Sequence, residues 1–218
     1  LGIRGNAANA LVVRSVLRMF SLYSLAMRLD AKSRIRLQEE NPPINGMMAF
    51  LGDSTFNYWV DLAVDIPRSF NASFGGSRST DLLHYLDDIC LKWCPKDVIL
   101  HVGGNDWDFR DTTHTYENIV KIVRRIEDRG AEVTIFFTPR APLYSNAKWR
   151  FVSDLRDLIK SGKVCKFIDI SSENLPLSSY IGDGVHFSST GYNRIAASIL
   201  KQMNNSKFSQ QVTTSSVL

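Results

Sequence analysis

Ser54 closes the stretch Met47-Met48-Ala49-Phe50-Leu51-Gly52-Asp53-Ser54, in which five apolar residues lead through a glycine to a hydroxyl. A serine oxygen is a weak nucleophile until a base takes its proton, and near neutral pH imidazole is the usual base. His186 lies in Asp183-Gly184-Val185-His186, where Asp183 is close enough in sequence to turn back and fix the tautomer of the ring. Acyl transfer to a serine builds an oxyanion, which needs donors from several directions. The backbone N–H groups of Ser54 and Gly76 and the side-chain amide of Asn105 can supply three. Gly75-Gly76 and Gly103-Gly104 carry no side chains, so backbone can come close to a bound acyl group. Each stretch alone has a plain alternative, Asp53 or Ser54 as a helix N-cap and Gly103-Gly104-Asn105-Asp106 as a turn. Taken in order they describe a serine nucleophile, a histidine base, an aspartate that orients it and an oxyanion site.

Such residues must be delivered to one place by the elements before them. The apolar run 47–51 is too short for a helix and reads as a strand buried on both faces. Further short apolar runs follow at 68–73, 97–102, 133–138 and 164–170. Between them lie helical patterns at 57–66, 79–92, 115–129 and 146–161, and a last one at 190–203. Strands alternating with helices predict a five-stranded parallel sheet covered by helices on both faces, a three-layer α/β/α sandwich. In such a sheet all strands end along one edge, where ligands bind. The serine, both glycine pairs and the asparagine follow strand ends.

On Gly52-Asp53-Ser54, Asn71-Ala72-Ser73-Phe74-Gly75-Gly76, Gly103-Gly104-Asn105-Asp106 and Asp183-Gly184-Val185-His186, the chain resembles the SGNH/GDSL hydrolase superfamily over about residues 46–203. All four blocks occur in order; one departure is Thr55, where many members have an aliphatic residue. The resemblance implies a flavodoxin-like sandwich and ester hydrolysis without metal or cofactor. It assigns Ser54 as nucleophile, His186 as base, Asp183 as orienter, and Gly76 and Asn105 as oxyanion donors. The expected activity is hydrolysis of a short acyl ester, such as O-acetyl on a carbohydrate, because no long apolar lid insertion is visible. Lysophospholipase or thioesterase action on longer chains, acyl transfer to a second alcohol, and a non-catalytic binding domain stay open.

Composition excludes other classes. The formal net charge of +4 comes entirely from residues 1–40, with seven basic residues against three acidic. The remainder is neutral and has no basic patch for nucleic acid. There is no Gly-x-Ser-x-Gly elbow, P-loop, dinucleotide fingerprint or His-Glu-x-x-His. Cys90, Cys94 and Cys165 lack zinc-site spacing and read as structural thiols. His84 and His114 read as surface or core residues; His101, ending a strand beside the site, reads as core with an option on a supporting hydrogen bond. Trp107, Phe109 and Tyr144 either line the site or pack.

Three regions are expected: a basic amphipathic helix and linker over 1–45, the hydrolase domain over 46–203, and a disordered polar tail over 204–218. Arg14, Arg18 and Arg28 make residues 9–29 a poor membrane span. The stretch suits a helix packed on the domain, or one that meets a membrane surface or a partner.

Overall fold

The computed structural model describes residues 22–23 and 25–215. Helix α1 covers residues 25–40. Then come β1 (Met48–Gly52), the short helices α2 (Ser54–Asn57) and α3 (Leu62–Asp65), β2 (Ser69–Asn71) and α4 (Ser79–Ile89). The chain continues through β3 (Asp97–His101), α5 (Thr112–Glu127), β4 (Glu132–Phe137), α6 (Asn146–Ser161), β5 (Lys166–Asp169) and α7 (Ser189–Ser215). All five strands are parallel, in the order β2-β1-β3-β4-β5. Two-residue periodicity sorts the strand side chains into two cores. Ala49, Leu51, Val98, Leu100, Val133 and Ile135 face Leu82, Leu86, Ile119, Ile122 and Leu155 of α4, α5 and α6. Phe50, Ile99, Phe136 and Ile168 face Phe56, Trp59, Ile195 and Ile199 on the other side. Strands apolar on both faces need helices on both faces, so the expected three-layer sandwich follows from the side chains themselves.

Several expected boundaries move. The helix expected over 57–66 is two short helices, with Trp59 between them buried against Phe50 and Tyr192 and its Nε1 donating to Asp65 Oδ2 (2.7 Å). Cys94 is exposed, in a left-handed conformation that ends a 3-10 turn, whereas Cys90 is buried. Helix α7 runs to Ser215, past the end expected for it at 203. Extending an existing helix costs far less than nucleating one, and a polar composition does not forbid it.

The N-terminal segment packs on the domain. Met27 and Ala31 are buried, and Ala31 joins the first core. The part of the 9–29 amphipathic stretch before Leu22 lies outside the described residues, as does Ser24. Among the described residues no helix is long and apolar enough to cross a membrane.

Candidate active site

The strand order reverses direction between β1 and β3, and in open parallel sheets that crevice is where ligands sit. Ser54 opens α2 directly above it. Asp53, itself buried, caps the helix by accepting from Thr55 N (2.8 Å), and the Tyr192 hydroxyl donates to Thr55 O (2.9 Å). Gly52 is required here because a Cβ would run into the carbonyl oxygen of His101 on β3. The close approach of the two strands thereby sets the distance from Ser54 to the loop after β3.

The structure brings Ser54, His186 and Asp183 together. His186 Nε2 lies 2.8 Å from Ser54 Oγ, and Nδ1 lies 2.5 Å from Asp183 Oδ2. A carboxylate only accepts, so Nδ1 carries the proton and Nε2 turns its lone pair to the serine hydroxyl. Asp183 Oδ1 accepts from Val185 N (2.9 Å) and His186 N (3.0 Å). Burial raises the Asp183 pKa, but the His186 ring and these two N–H groups together outweigh it and hold the carboxyl at about 2. The loop closes on itself through Ile181 N to His186 O (2.9 Å) and a Tyr180–Phe187 bridge. Tyr58 lies over the imidazole at 4.7 Å between ring centroids.

Opposite the histidine, Gly76 adopts φ +69°, which favours glycine. Asn105 Nδ2 spends one N–H on Ser77 O (3.1 Å), leaving the other for a bound oxygen. Among the described residues, neither the Ser54 nor the Gly76 N–H donates to a protein acceptor. A buried polar knot fixes these loops together. Asp106 accepts from Ser79 N (3.1 Å) and Ser79 Oγ (2.6 Å), Asn118 Nδ2 donates to Ser79 Oγ (3.2 Å), and Ser77 Oγ donates to Gly52 O (3.0 Å). Burial pushes the Asp106 carboxyl up, against the lowering effect of its Ser79 bonds.

The residues border an open cleft of about 580 Å³. Tyr58, Tyr144 and Lys148 line it, and so do Tyr23, Met27 and Asp30 of the N-terminal segment. Burial lowers the Lys148 pKa, with Asp53 and Asp108 opposing. His101 is a packed residue with a hydrogen bond: Nδ1 lies 2.9 Å from Phe136 O, and the ring sits against Phe56 and Phe136. His84 and His114 are exposed. Of the three undecided aromatics, Tyr144 lines the cleft, Trp107 packs on Phe151, and Phe109 is exposed under Arg78. Sequence reasoning missed Lys148 and the whole contribution of α1. A signal was available for α1: Asp30, Arg34 and Gln38 continue the face of Tyr23 and Met27, so polar residues sit where an amphipathic helix should be apolar.

The model of the GDSL-like Lipase/Acylhydrolase family matches residues 49–194. Among solved structures, the fold is similar to that of a candidate acylhydrolase from Bacteroides fragilis, at 22% identity and a TM-score of 0.66, covering 80% of this chain and 96% of that one. It is similar also to a GDSL-like lipase from Bacteroides thetaiotaomicron (16% identity, TM-score 0.65, 81% and 98% covered). A third is an acetylxylan esterase from Geobacillus stearothermophilus, solved as a catalytic mutant (14% identity, TM-score 0.56, 73% and 95% covered). At these identities the likeness concerns the fold. No curated protein matches the sequence.

Proposed function

The chain belongs to the GDSL-like lipase/acylhydrolase family, and from that premise we propose that it is a serine esterase removing short acyl groups, acetyl esters of carbohydrates among them, through an acyl-enzyme on Ser54. The observation that carries this reading is the continuous hydrogen-bonded line from Ser54 Oγ through His186 to Asp183. Ser54 Oγ attacks the ester carbonyl as its proton passes to His186 Nε2. The Ser54 and Gly76 N–H groups and Asn105 Nδ2 receive the oxyanion. His186 then gives the proton to the leaving alcohol oxygen, and the acyl group stays on Oγ. Water then attacks the acyl carbon as His186 takes its proton, the acyl–Oγ bond breaks, and His186 returns the proton to Ser54 Oγ as the carboxylic acid leaves.

Two features favour a small acyl group on a polar alcohol. The cleft is open and edged by Asp30, Asn57, Asn105 and Lys148, which suits hydroxyl-rich partners. The pocket lined by His101, Phe137, Tyr144 and Trp149 holds about 30 Å³, room for about one water and too little for a long chain. A second reading rests on Leu22, Leu25 and Leu29, which are exposed on the segment that walls the cleft. They favour longer-chain lipid esters taken from a membrane surface, with Arg28 and Lys32 meeting anionic headgroups.

Hydrolysis of p-nitrophenyl esters from acetate to palmitate, with Ser54→Ala in parallel, separates the readings. The first expects acetate to be cleaved best. A preference for long chains, together with liposome flotation lost when Leu22, Leu25 and Leu29 become serine, would move the assignment to lipids. Cleavage by Ser54→Ala at the wild-type rate would remove the acyl-enzyme from consideration.

A further inference from the structure

Tyr23 and helix α1 lie outside the family match, yet their side chains hold the backbone that carries one of the proposed oxyanion donors. Gln38 Nε2 donates to Asn71 O (3.0 Å), and Arg34 Nε donates to Ser73 O (2.9 Å). Asp30 Oδ2 accepts from Gly75 N, and the Tyr23 hydroxyl donates to Gly76 O. The segment they grip stays extended past β2, because Ala72 N donates to Phe50 O (2.8 Å) and Phe74 N to Gly52 O (3.2 Å). Four residues of helix advance by ~6 Å, and two residues of extended chain by ~6.6 Å. Side chains at 30, 34 and 38 therefore fall into step with the backbone groups at 75, 73 and 71, the helix running opposite to the strand. Each side chain has the chemistry its target lacks: a donor for every carbonyl, an acceptor for the N–H.

At the far end the grip serves stability, since buried Gln38 also donates to Ile89 O (3.0 Å) and accepts from Trp93 Nε1 (3.1 Å). At the near end it serves the site. Asp30 fixes the N–H on one side of the Gly75-Gly76 turn and Tyr23 fixes the carbonyl on the other, so the direction of the Gly76 N–H between them is set. Asn57 extends the brace, donating to Asp30 Oδ2 (3.4 Å) and accepting from Arg34 (2.5 Å), and ties it to the helix that begins with Ser54. The Arg34 guanidinium offsets the charge of Asp30, so the aspartate can hold a peptide beside an oxyanion site without leaving that site strongly negative.

We propose that α1 is a splint for the oxyanion loop and that Asp30 is a positioning residue that orients the Gly76 N–H. The proposal rests on the serine esterase reading for its catalytic consequence and on Gly75 alone for its structural one. Both are read on the full chain. In Asp30→Ala, kcat on p-nitrophenyl acetate falls about 10- to 100-fold, short of the loss of an entire donor, while KM stays within about threefold. Asp30→Asn, which keeps a carbonyl acceptor for Gly75, restores most of kcat. Tyr23→Phe, which removes only the Gly76 carbonyl bond, gives a smaller fall. Amide hydrogen exchange followed by NMR shows Gly75 protected in the wild type and exchanging about tenfold faster or more in Asp30→Ala. An Asp30→Ala enzyme with wild-type kcat, or with Gly75 exchange unchanged, overturns the splint. If the wild type cleaves no ester at all, it is the esterase reading that falls, and Gly75 protection then decides the splint by itself.

Discussion

On one side of Ser54, Asp183 and His186 sit three residues apart in a loop that closes on itself; on the other, the Gly75-Gly76 turn is gripped by side chains 45 and 53 positions earlier in the chain. Asp183 satisfies both its oxygens within its own loop, on Val185 N, His186 N and the His186 ring. The glycine turn takes its hydrogen-bond partners from elsewhere in the chain: Asp30 and Tyr23 at the glycines, Gly52 and Asn105 at Ser77. A self-contained loop keeps its geometry when remote elements shift, whereas a turn held from afar carries the stability of its holder. The proposed catalytic geometry thus has one local half and one half coupled to the N-terminal segment.

The comparison can be broken or sharpened by substitution. Ser54→Ala, which removes the atom both halves serve, is expected to lower kcat by about 10⁴-fold or more, measured against p-nitrophenyl acetate. Asp183→Ala strikes the local half alone. It is expected to cost about 10²- to 10⁴-fold in kcat with KM little changed, and Gly75 exchange stays at the wild-type rate if the halves are independent. Asn105→Ala strikes the remote half at its second donor and should cost about 10²- to 10³-fold in kcat. Gln38→Ala tests the anchor of α1 rather than its catalytic end. It leaves the Asn71 and Ile89 carbonyls without their side-chain donor and is expected to lose about 1–3 kcal/mol in urea unfolding, with kcat falling less than in Asp30→Ala.

The smallest effect is read in acid. The Asp183 carboxyl sits at about 2 in the folded chain, against ~3.9 in an unfolded one. A depressed carboxylate contributes stability that is complete above the unfolded value and disappears as pH falls through the folded one. Wild type should therefore lose this contribution between about pH 4 and pH 2, and Asp183→Asn should lack that component of the acid-unfolding profile. Identical profiles for the two proteins would show that the loop is not self-supporting in solution.

The same contrast explains what could be read in the sequence. Apolar runs such as Ala49-Phe50-Leu51 and Val98-Ile99-Leu100 announce strands buried on both faces, and their order with the helices fixes a parallel sheet. Asp183 and His186 are legible as a pair because their chemistry lies within one turn of chain. Gly76 and Asn105 are legible because glycine pairs follow strands. Asp30, Arg34 and Gln38 are ordinary helix residues by composition, and only the docking of α1 gives them targets. Helix breaks were missed for a related reason: the chain turns at Tyr58–Asp61 to bury Trp59 in a core built from β1 and α7, which no local pattern encodes. Lys148 reads as one lysine of an amphipathic helix until the fold turns it over the cleft beside Tyr144, 4.4 Å from the ring centroid.

The equal stride of α1 and the strand beside it works as a vernier, and a vernier is intolerant of missing divisions. One residue inserted between Asp30 and Arg34 would turn everything upstream by about 100°, carrying Asp30 away from Gly75 while leaving Arg34 and Gln38 seated. Two whole turns, about seven residues, would restore the facing but present a different side chain to the glycine. The loop after β2 therefore sets the spacing of Asp30, Arg34 and Gln38 along a helix that the family match does not include.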